Sequence, residues 1–237
     1  MSRQITSLLA IAAVAVSLAT PASATAKEEV DCTQVKCIAL TFDDGPSKYA
    51  GQLLDTLKKE KVKATFFLEG QYVKSRPAFA KRMADEGHEL GNHSYKHPNF
   101  TELESWAIRS EIQKTQDVIK AATGVEPKLL RPPYGMTSIT SSEIAGEFGM
   151  PQILWTAGSK DWSSKNEEAI KAQVLEVAEA NGIILMHDWV KQTVDVMPKI
   201  ITLLKRRGYT LVTVSEVIKQ YDIQPGDTFP LPDGWER

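Results

Sequence analysis

The sequence predicts an α/β protein with a parallel sheet, in one domain that forms a closed or nearly closed β/α barrel. Short β-type runs alternate with helical patterns from Cys37 onward, and strands that alternate with helices form parallel sheets. Seven such units in ~180 residues fall short of the ~250 residues usual for an eight-stranded barrel. A doubly wound open sheet is the alternative, although the sequence has no glycine-rich loop that would cradle phosphate.

The apolar runs predict strands at Cys37–Phe42, Ala64–Leu68, His88–Gly91, Lys128–Leu130, Gln152–Trp155, Gly182–Met186 and Thr210–Val214. Apolar residues at helical spacing predict helices between them, at Tyr49–Lys61, Arg76–Glu86, Thr101–Thr123, Glu167–Ala180 and Thr193–Arg207. The third of these helices is expected to open with a capping box, Thr101 and Glu104, and to stop before Gly124.

The two ends of the chain differ from the predicted domain. Residues 1–24 look like an export signal, with a charge at Arg3, an apolar core and a small-residue cleavage site at Ala22-Ser23-Ala24. An uncleaved anchor is the alternative. We therefore expect a secreted or cell-wall-associated protein. Its N-terminal segment would be residues 25–36 and its main domain residues 37–221, and residues 222–237 would form an extended tail on the domain surface.

The composition limits the partners of this chain. A formal net charge of −2 and the lack of a basic run interleaved with aromatic residues argue against nucleic acid. No second apolar segment would span a membrane, and we expect a monomer without stable membrane insertion. Cys32 and Cys37 could form a small disulfide loop in an exported protein, or the pair could stay reduced.

Polar motifs follow five of the predicted strands. They are Asp43 and Asp44 after the first strand, His93 and His97 after the third, Arg131 after the fourth, Asp161 and Trp162 past the fifth, and His187 after the sixth. β/α barrels build their active sites at the carboxyl ends of the strands. The sequence therefore predicts one active site at this rim.

The histidine pair and the aspartates predict a metal site. Two adjacent carboxylates repel each other unless a metal ion or an arginine offsets their charge. His93 and His97 are four residues apart, which predicts one face of a helical turn. With Asp44 they would hold Zn²⁺, or another divalent transition metal such as Co²⁺; solvated loop histidines are the alternative. Because neighbours on a strand face opposite sides, Asp43 would face the water bound to the metal and act as general base.

The segment that follows the predicted fourth strand would support this base. Arg131 would favour the charged form of Asp43, or it could form a surface ion pair. Pro132 and its neighbour Pro133 would hold the turn rigid. Tyr134 would then present its backbone N–H as an oxyanion donor.

The sixth strand would supply the acid. His187 fits the role of general acid because the other groups provide a base and a metal but no acid; a structural histidine is the alternative. Leu185, two residues earlier on the same strand face, could wall a small apolar pocket. Trp162 could stack on a sugar ring or lie in the core. His88, inside a predicted strand, is expected to be structural.

The ordered set TFDDGP, HSYKH, RPPYG, KDWSS and ILMHDW resembles the polysaccharide deacetylases of carbohydrate esterase family 4, the NodB homology domain. The resemblance extends from about Cys37 to Tyr221 and implies a distorted (β/α)₇ barrel. It also implies metal-dependent hydrolysis of N-acetyl groups on a sugar polymer such as chitin or peptidoglycan, which releases acetate. By this resemblance the residues with roles are the base Asp43, the metal ligands Asp44, His93 and His97, the base-positioning Arg131, the oxyanion donor Tyr134, the acetyl-pocket Leu185 and the acid His187.

One motif departs from the family pattern. The fourth motif usually reads Asp-x-x-Asp-Trp, whereas this chain reads GSKDW from Gly158 to Trp162. The resemblance implies that the first aspartate adjusts the catalytic histidine. Without it, Asp161 or Asp188 would take over this role, or His187 would be a weaker acid. A weaker acid would favour an O-acetyl esterase on acetylxylan, since an alkoxide leaving group needs its proton less than an amine does. A non-catalytic sugar-binding protein on the same scaffold is a further alternative.

Overall fold

The structure is a computed structural model that describes residues 30–232. Its strands are β1 (Cys37–Gly45), β2 (Thr65–Leu68), β3 (Glu89–Asn92), β4 (Gln152–Ile153), β5 (Ala157–Gly158), β6 (Gly182–His187), β7 (Thr210–Val212) and β8 (Thr228–Phe229). Its helices are α1 (Ala50–Glu60), α2 (Gly70–Ser75), α3 (Pro77–Asp85), α4 (Ser105–Thr123), α5 (Ile139–Glu147), α6 (Asp161–Ser164), α7 (Glu167–Val177), α8 (Lys191–Arg206) and α9 (Val214–Ile218). The predicted export signal lies outside the described residues. Within residues 30–232, no helix has both the length and the apolar character needed to cross a bilayer.

A parallel sheet with β1 at its centre organises the fold. β6 lies on one side of β1, and on the other side β7 pairs with the start of β1 and β2 with its end. Beyond β2 lies β3, and a single bridge residue, Leu130, joins β3 to β4. At the opposite end, β5 pairs with β6. Because β4 and β5 belong to one segment, residues 152–158, the two ends of the sheet meet. The expected distorted β/α barrel is thereby confirmed.

Alternation along β1 divides the core into an outer and an inner part. The outward-facing side chains pack with the surrounding helices, and these are Ile38, Leu40 and Phe42. Ala39 belongs instead to the apolar cluster inside the barrel. Thr41 and Asp43 share the parity of Ala39, so their side chains also point inward. The barrel interior therefore becomes polar towards the carboxyl end of β1.

The helix predicted at Thr101–Thr123 begins instead at Ser105. The predicted capping box is wrong, because the side chain of Asn99 caps a short 3₁₀ turn, Phe100–Glu102, ahead of the helix. The ring of Phe100 in that turn is buried in an apolar cluster, which holds the turn in place. The helix stops before Gly124 as predicted, since this residue takes a left-handed conformation with φ of 77°.

Two predicted segments differ in the structure. The strand expected at Lys128–Leu130 is reduced to one residue, Leu130, which forms isolated bridges to both neighbouring strands. The prolines that follow it cannot continue a ladder of hydrogen bonds. The tail supplies β8, which pairs with β4, so the sheet extends beyond the predicted domain boundary at Tyr221. The unpredicted helices α2, α5, α6 and α9 have 6, 9, 4 and 5 residues, which is too short for a clear helical period.

The two cysteines are joined. Cys32 and Cys37 form a disulfide, which was one of the two alternatives left open by the sequence. Cys37 is the first residue of β1. The bond therefore ties the segment before the barrel to its central strand.

Gly91 of β3 lies against the ring of Phe67, and a Cβ added there would come within 2.3 Å of a ring carbon. This ring in turn lies 4.0 Å from the guanidinium of Arg131. We predict that Gly91→Ala lowers the free energy of unfolding by about 1–3 kcal/mol, because the ring must move within a packed interior. Urea unfolding measures the change. Gly158→Ala is the matched control, since a Cβ there meets nothing within 4 Å; equal losses in both variants would contradict the prediction.

Candidate active site

The carboxyl end of β1 brings two aspartates into one cavity. The pairing of β1 with β2 shifts register between Asp43 and Gly45. Asp44 lies within this irregularity and has a φ of 64°, a left-handed conformation that aspartate tolerates better than most residues. Both carboxylates consequently line the same cavity. The expectation that they face opposite sides is wrong, because it assumed an unbroken strand.

Arg131 fills the polar end of the barrel interior, where its side chain is fully buried. Nη1 donates to Oδ1 of Asp43 at 2.7 Å and to the hydroxyl of Thr41 at 2.8 Å. Nε and Nη2 donate to the carbonyls of Ile153 and Leu154 at 2.9 and 2.8 Å. The guanidinium is thus hydrogen-bonded at four points and paired with one carboxylate. The structure excludes the alternative of a surface ion pair.

Asp44, His93 and His97 bring three metal-binding atoms together. Oδ1 of Asp44 lies 3.3 Å from Nε2 of His93 and 3.4 Å from Nε2 of His97. This buried oxygen forms no hydrogen bond with any residue between 30 and 232. Ligand atoms bound to one tetrahedral Zn²⁺ at ~2.1 Å are about 3.4 Å apart. The donor set therefore fits a divalent metal ion.

The two histidines lie in an irregular turn after β3, which corrects the predicted helical turn. Asn92 and Ser94 shape this turn: the Asn92 side chain accepts the N–H of Ser94, and the Ser94 hydroxyl accepts the N–H of His97, both at 2.9 Å. Ser94 and His97 have φ of 63° and 60°. The imidazole centroids are nevertheless 4.9 Å apart. The two histidines are therefore neighbours as predicted, but an irregular turn and not a helical turn places them so.

Buried partners orient these ligand atoms. Nδ1 of His93 donates to the carbonyl of Arg131 at 2.7 Å. Because a carbonyl can only accept, the proton lies on Nδ1, and Nε2 is left free towards Asp44. On the other side, the indole N–H of Trp189 donates to Oδ2 of Asp44 at 3.0 Å. His93 and Asp44 are therefore each held by an atom that does not face the cluster.

The electrostatics of the cluster favour an anionic Asp44. Burial alone would raise the pKa of Asp44, but the adjacent imidazole of His93 and the charges of the three surrounding histidines bring it well below its usual value. Burial likewise would lower the pKa of His93, yet the charges of Asp43 and Asp44 raise it overall. Burial lowers the pKa of His97. An anionic carboxylate beside two imidazoles is a donor set that a bound cation would stabilise.

His187 faces the cavity from the end of β6 and is held by Asp161. Its Nδ1 donates to Oδ1 of Asp161 at 2.8 Å. The other oxygen of Asp161 accepts the main-chain N–H of His187 at 2.8 Å and the hydroxyl of Thr193 at 2.7 Å. Burial would lower the pKa of His187, but the hydrogen bond and charge of Asp161 raise it above its usual value. Nε2, which lies 3.8 Å from Oδ2 of Asp44, is left facing the cavity.

Gly158 does not deprive His187 of its partner, because Asp161 already fills that place. Gly158 pairs with Leu185 between β5 and β6. Asp188 points elsewhere, and its Oδ2 accepts the N–H of Ser47 at 2.9 Å. The hypothesis that this chain has a weakened acid is wrong, since the carboxylate three residues after Gly158 supports the imidazole.

A cavity of about 530 Å³ lies over these groups, and its hydrophobic walls are Tyr134, Trp155, Trp162, Leu185 and Trp189. Leu185 lies two residues before His187 on the same face of β6, as expected. The side chain of Trp162 is 58% exposed, which decides against a core position. Asp161, in contrast, is fully buried behind His187.

The turn after Leu130 shapes one side of this cavity. Pro132 is buried and accepts the N–H of Gly135 at 3.1 Å, so it supports the turn without lining the cavity. Tyr134 has a left-handed backbone with φ of 60°. Its ring packs edge-on against His97, with centroids 4.4 Å apart.

Sequence reasoning missed two aromatic walls. Trp155 is the last residue of a predicted strand, and no motif in the sequence assigns it a role. Trp189 directly follows the ILMHD stretch, and its ring centroid lies 5.4 Å from that of His187. An aromatic residue beside a polar motif at a strand end is the feature that could have indicated both.

This barrel, with its aspartates, histidines and arginine at one rim, matches a known class of protein. Residues 30–153 match the family model described as polysaccharide deacetylase. The chain belongs to this family of hydrolases, as its motifs implied.

Individual relatives extend the match. The peptidoglycan-N-acetylglucosamine deacetylase PgdA of Listeria monocytogenes is 39% identical over 198 residues, which cover 83% of this chain and 42% of the relative. This chain thus spans about two fifths of the length of that curated relative. A solved structure described as T48 deacetylase with substrate has a TM-score of 0.82 and 40% identity, and the match covers 84% of this chain and 99% of the other.

A solved carbohydrate esterase family 4 pseudoenzyme from Bacillus anthracis is also similar. It has a TM-score of 0.74 and 37% identity, with 78% of this chain and 66% of the other covered. Membership of the family therefore does not by itself establish activity. Catalysis by this chain depends on the side chains at its own site.

We predict that replacing Asp44, His93 and His97 together by alanine abolishes stoichiometric binding of a divalent metal, because all three donors are lost. Elemental analysis after incubation with Zn²⁺ measures the metal content. His88→Gln is the control: burial lowers the pKa of His88 to about 4, and it lies outside the cluster. Wild-type occupancy in the triple variant would show that other residues bind the metal.

The pH dependence of activity tests the role of Asp161. His187 must be protonated to act as an acid, and Asp161 raises its pKa, so activity should fall as pH rises through that value. This fall in activity is the basic limb of the pH–rate profile. We predict that Asp161→Asn moves the basic limb to lower pH, because the protonated imidazole of His187 loses the carboxylate charge that stabilises it. Gly158→Asp should leave the limb unchanged, since Asp161 already holds the imidazole. A limb that responds to residue 158 and not to residue 161 would reverse this assignment.

Proposed function

We propose that this protein is a secreted or cell-wall-associated, metal-dependent deacetylase. It would hydrolyse N-acetyl groups of polymers that contain N-acetylglucosamine, such as peptidoglycan or chitin, and release acetate. One observation carries the proposal: three groups line the same cavity. They are a carboxylate paired with a buried arginine, a cluster of three metal-binding side chains, and a histidine hydrogen-bonded to a buried aspartate. The catalytic domain would run from Cys37 to Phe229, since β8 belongs to the sheet.

Asp44, His93 and His97 would hold the metal, with Zn²⁺ favoured by two imidazoles and one carboxylate and Co²⁺ accepted by the same donors. When bound, the metal ion polarises the acetyl carbonyl and makes the attacking water easier to deprotonate. The remaining steps belong to side chains of the protein.

Asp43 would act as the base. One of its oxygens is occupied by Arg131 at 2.7 Å, while Oδ2 lies 3.7 Å from Nε2 of His93, beside the cluster. The hydrogen bond from Arg131 fixes the orientation of the carboxylate. Oδ2 would take the proton of the water as the oxygen attacks the acetyl carbon.

His187 would complete the reaction on the opposite side. As the C–N bond breaks, Nε2 would give its proton to the leaving nitrogen, and the products are acetate and a free amine. The backbone N–H of Tyr134 would donate to the oxyanion that develops on the carbonyl oxygen. Leu185 would enclose the acetyl methyl group, and Trp162 would offer its exposed face to the sugar ring.

The support of His187 by Asp161 bears on the alternatives. The sequence favoured an O-acetyl esterase only if the acid were weak, and the Asp161 hydrogen bond at 2.8 Å removes that reason. The complete set of Asp43, Arg131 and His187 around the donor cluster argues against a non-catalytic sugar-binding protein. An amide, whose amine needs a proton to leave, is therefore the favoured bond.

Acetate release from three substrates tests the proposal: chitin oligomers, peptidoglycan and acetylxylan. We expect release from at least one of the N-acetylated substrates by the Zn²⁺-loaded enzyme, and a much lower rate on acetylxylan. Preference for acetylxylan would establish the esterase, and binding of sugar without release from any substrate would establish the non-catalytic reading.

Asp43→Asn should reduce turnover by about 10²–10⁴-fold, since a general base is lost, while the metal content stays at the wild-type level. Amide nitrogen can no longer accept the proton of the water, but Asp44 and both histidines remain. Rate and metal content are measured on the same preparation. A variant that keeps a tenth of the wild-type rate would mean that another group is the base.

A further inference from the structure

A second cavity, of about 370 Å³, lies beside the catalytic one. The two share Asp44 and Trp189 in their linings. Trp189 therefore borders both cavities. A polymer with its reacting sugar in the catalytic cavity would place a neighbouring sugar here.

Two cationic side chains line this second cavity, Lys48 and Arg76. Neither forms an ion pair with a carboxylate among residues 30–232. Nζ of Lys48 lies 5.0 Å from the ring centroid of Tyr49. The guanidinium of Arg76 lies 5.4 Å from the ring of Tyr72, and Nη1 donates to the carbonyl of Pro46 at 3.2 Å. We call this the cationic cavity.

The acidic groups near the cationic cavity have partners of their own. Glu69 lines it but is only 4% exposed and accepts a hydrogen bond from Gln71. The free oxygen of Asp44 is directed at the two histidines of the donor cluster.

The aromatic residues give the same cavity surfaces for a sugar. Tyr72 and Trp189 are 36% and 38% exposed, and both line it. Sugar rings present apolar C–H faces that pack on aromatic rings, while a carboxylate is bound by lysine and arginine through charge-assisted hydrogen bonds. Aromatic faces combined with unpaired cations suit a sugar that carries an acid.

We propose that the cationic cavity binds a sugar unit bearing a carboxylate, next to the N-acetyl sugar that reacts. This inference rests on the proposed function and makes it more specific. Among N-acetylated polymers, a peptidoglycan strand without stem peptides alternates N-acetylglucosamine with a sugar that carries a free lactyl carboxylate. Chitin is neutral, and intact peptidoglycan carries the lactyl group as an amide of the stem peptide. The preferred substrate is then a peptidoglycan strand freed of its stem peptides.

The test compares three tetrasaccharides: the peptidoglycan repeat with free lactyl carboxylates, the same repeat with these carboxylates converted to methylamides, and the chitin tetramer. We expect KM for the acidic form to be about fivefold lower than for the amidated form, as two partly exposed charge contacts allow. Lys48→Gln together with Arg76→Gln should remove this difference, and 0.5 M salt should weaken it, because screening acts on exposed charges.

Matched variants separate recognition from folding. Lys74→Gln removes an exposed charge on α2 outside the cavity and should keep the preference. Arg76→Lys should keep part of it. The double variant should keep the circular dichroism spectrum and the stoichiometric Zn²⁺ content of the wild type, which shows that its fold and donor cluster are intact.

The outcomes distinguish this inference from the proposed function. Affinities for the acidic and amidated tetrasaccharides are also measured by calorimetry on Asp43→Asn, which needs no turnover. Equal affinity and equal KM for the two forms would overturn the inference, even if acetate is released from both. No acetate from any tetrasaccharide would refute the proposed function, and the calorimetric comparison would still decide whether the cationic cavity selects the carboxylate.

Discussion

A buried guanidinium is the constraint on which the site depends. Removing a cation from water is costly unless close partners compensate for the lost hydration, and Arg131 has one carboxylate, one hydroxyl and two carbonyls around it. These partners come from β1 and from residues 153–154 on the far side of the barrel. Its own carbonyl accepts Nδ1 of His93. One residue therefore positions the base through its side chain and a metal-binding histidine through its backbone.

The acid is built by the same principle from the other side of the barrel. Asp161 is fully buried and receives four hydrogen bonds, two from His187, one from Thr193 and one from the main-chain N–H of Trp162. Its negative charge behind the ring raises the pKa of His187. On the other side, the positive charge of Arg131 lies behind Asp43 and pairs with its Oδ1. A buried cation thus supports the base, and a buried anion supports the acid, on two sides of one cavity. Neither group needs to change partners during the proposed reaction.

The sequence predicted the barrel and the membership of the site because both follow from pattern: apolar runs set the strands, and polar motifs at their ends meet at one rim. It failed where local backbone geometry overrides that pattern. The left-handed Asp44 turned a carboxylate towards its neighbour, and the histidine pair lies in a turn stabilised by Asn92 instead of a helix. The role of Asp161 depends on packing between β6, α6 and α8, contacts that no spacing in the chain reveals.

Trp189 links recognition of the polymer to the metal-binding cluster. Its N–H holds one oxygen of Asp44, and its side chain borders both cavities. A sugar packed against that ring would restrict the indole, and the indole in turn restricts the carboxylate whose other oxygen faces His93 and His97. Binding energy gained one sugar away from the reacting group can then improve the alignment of the donors, which is how remote contacts raise turnover as well as affinity. Lys48 and Arg76 would contribute to catalysis by this route without touching the reacting atoms.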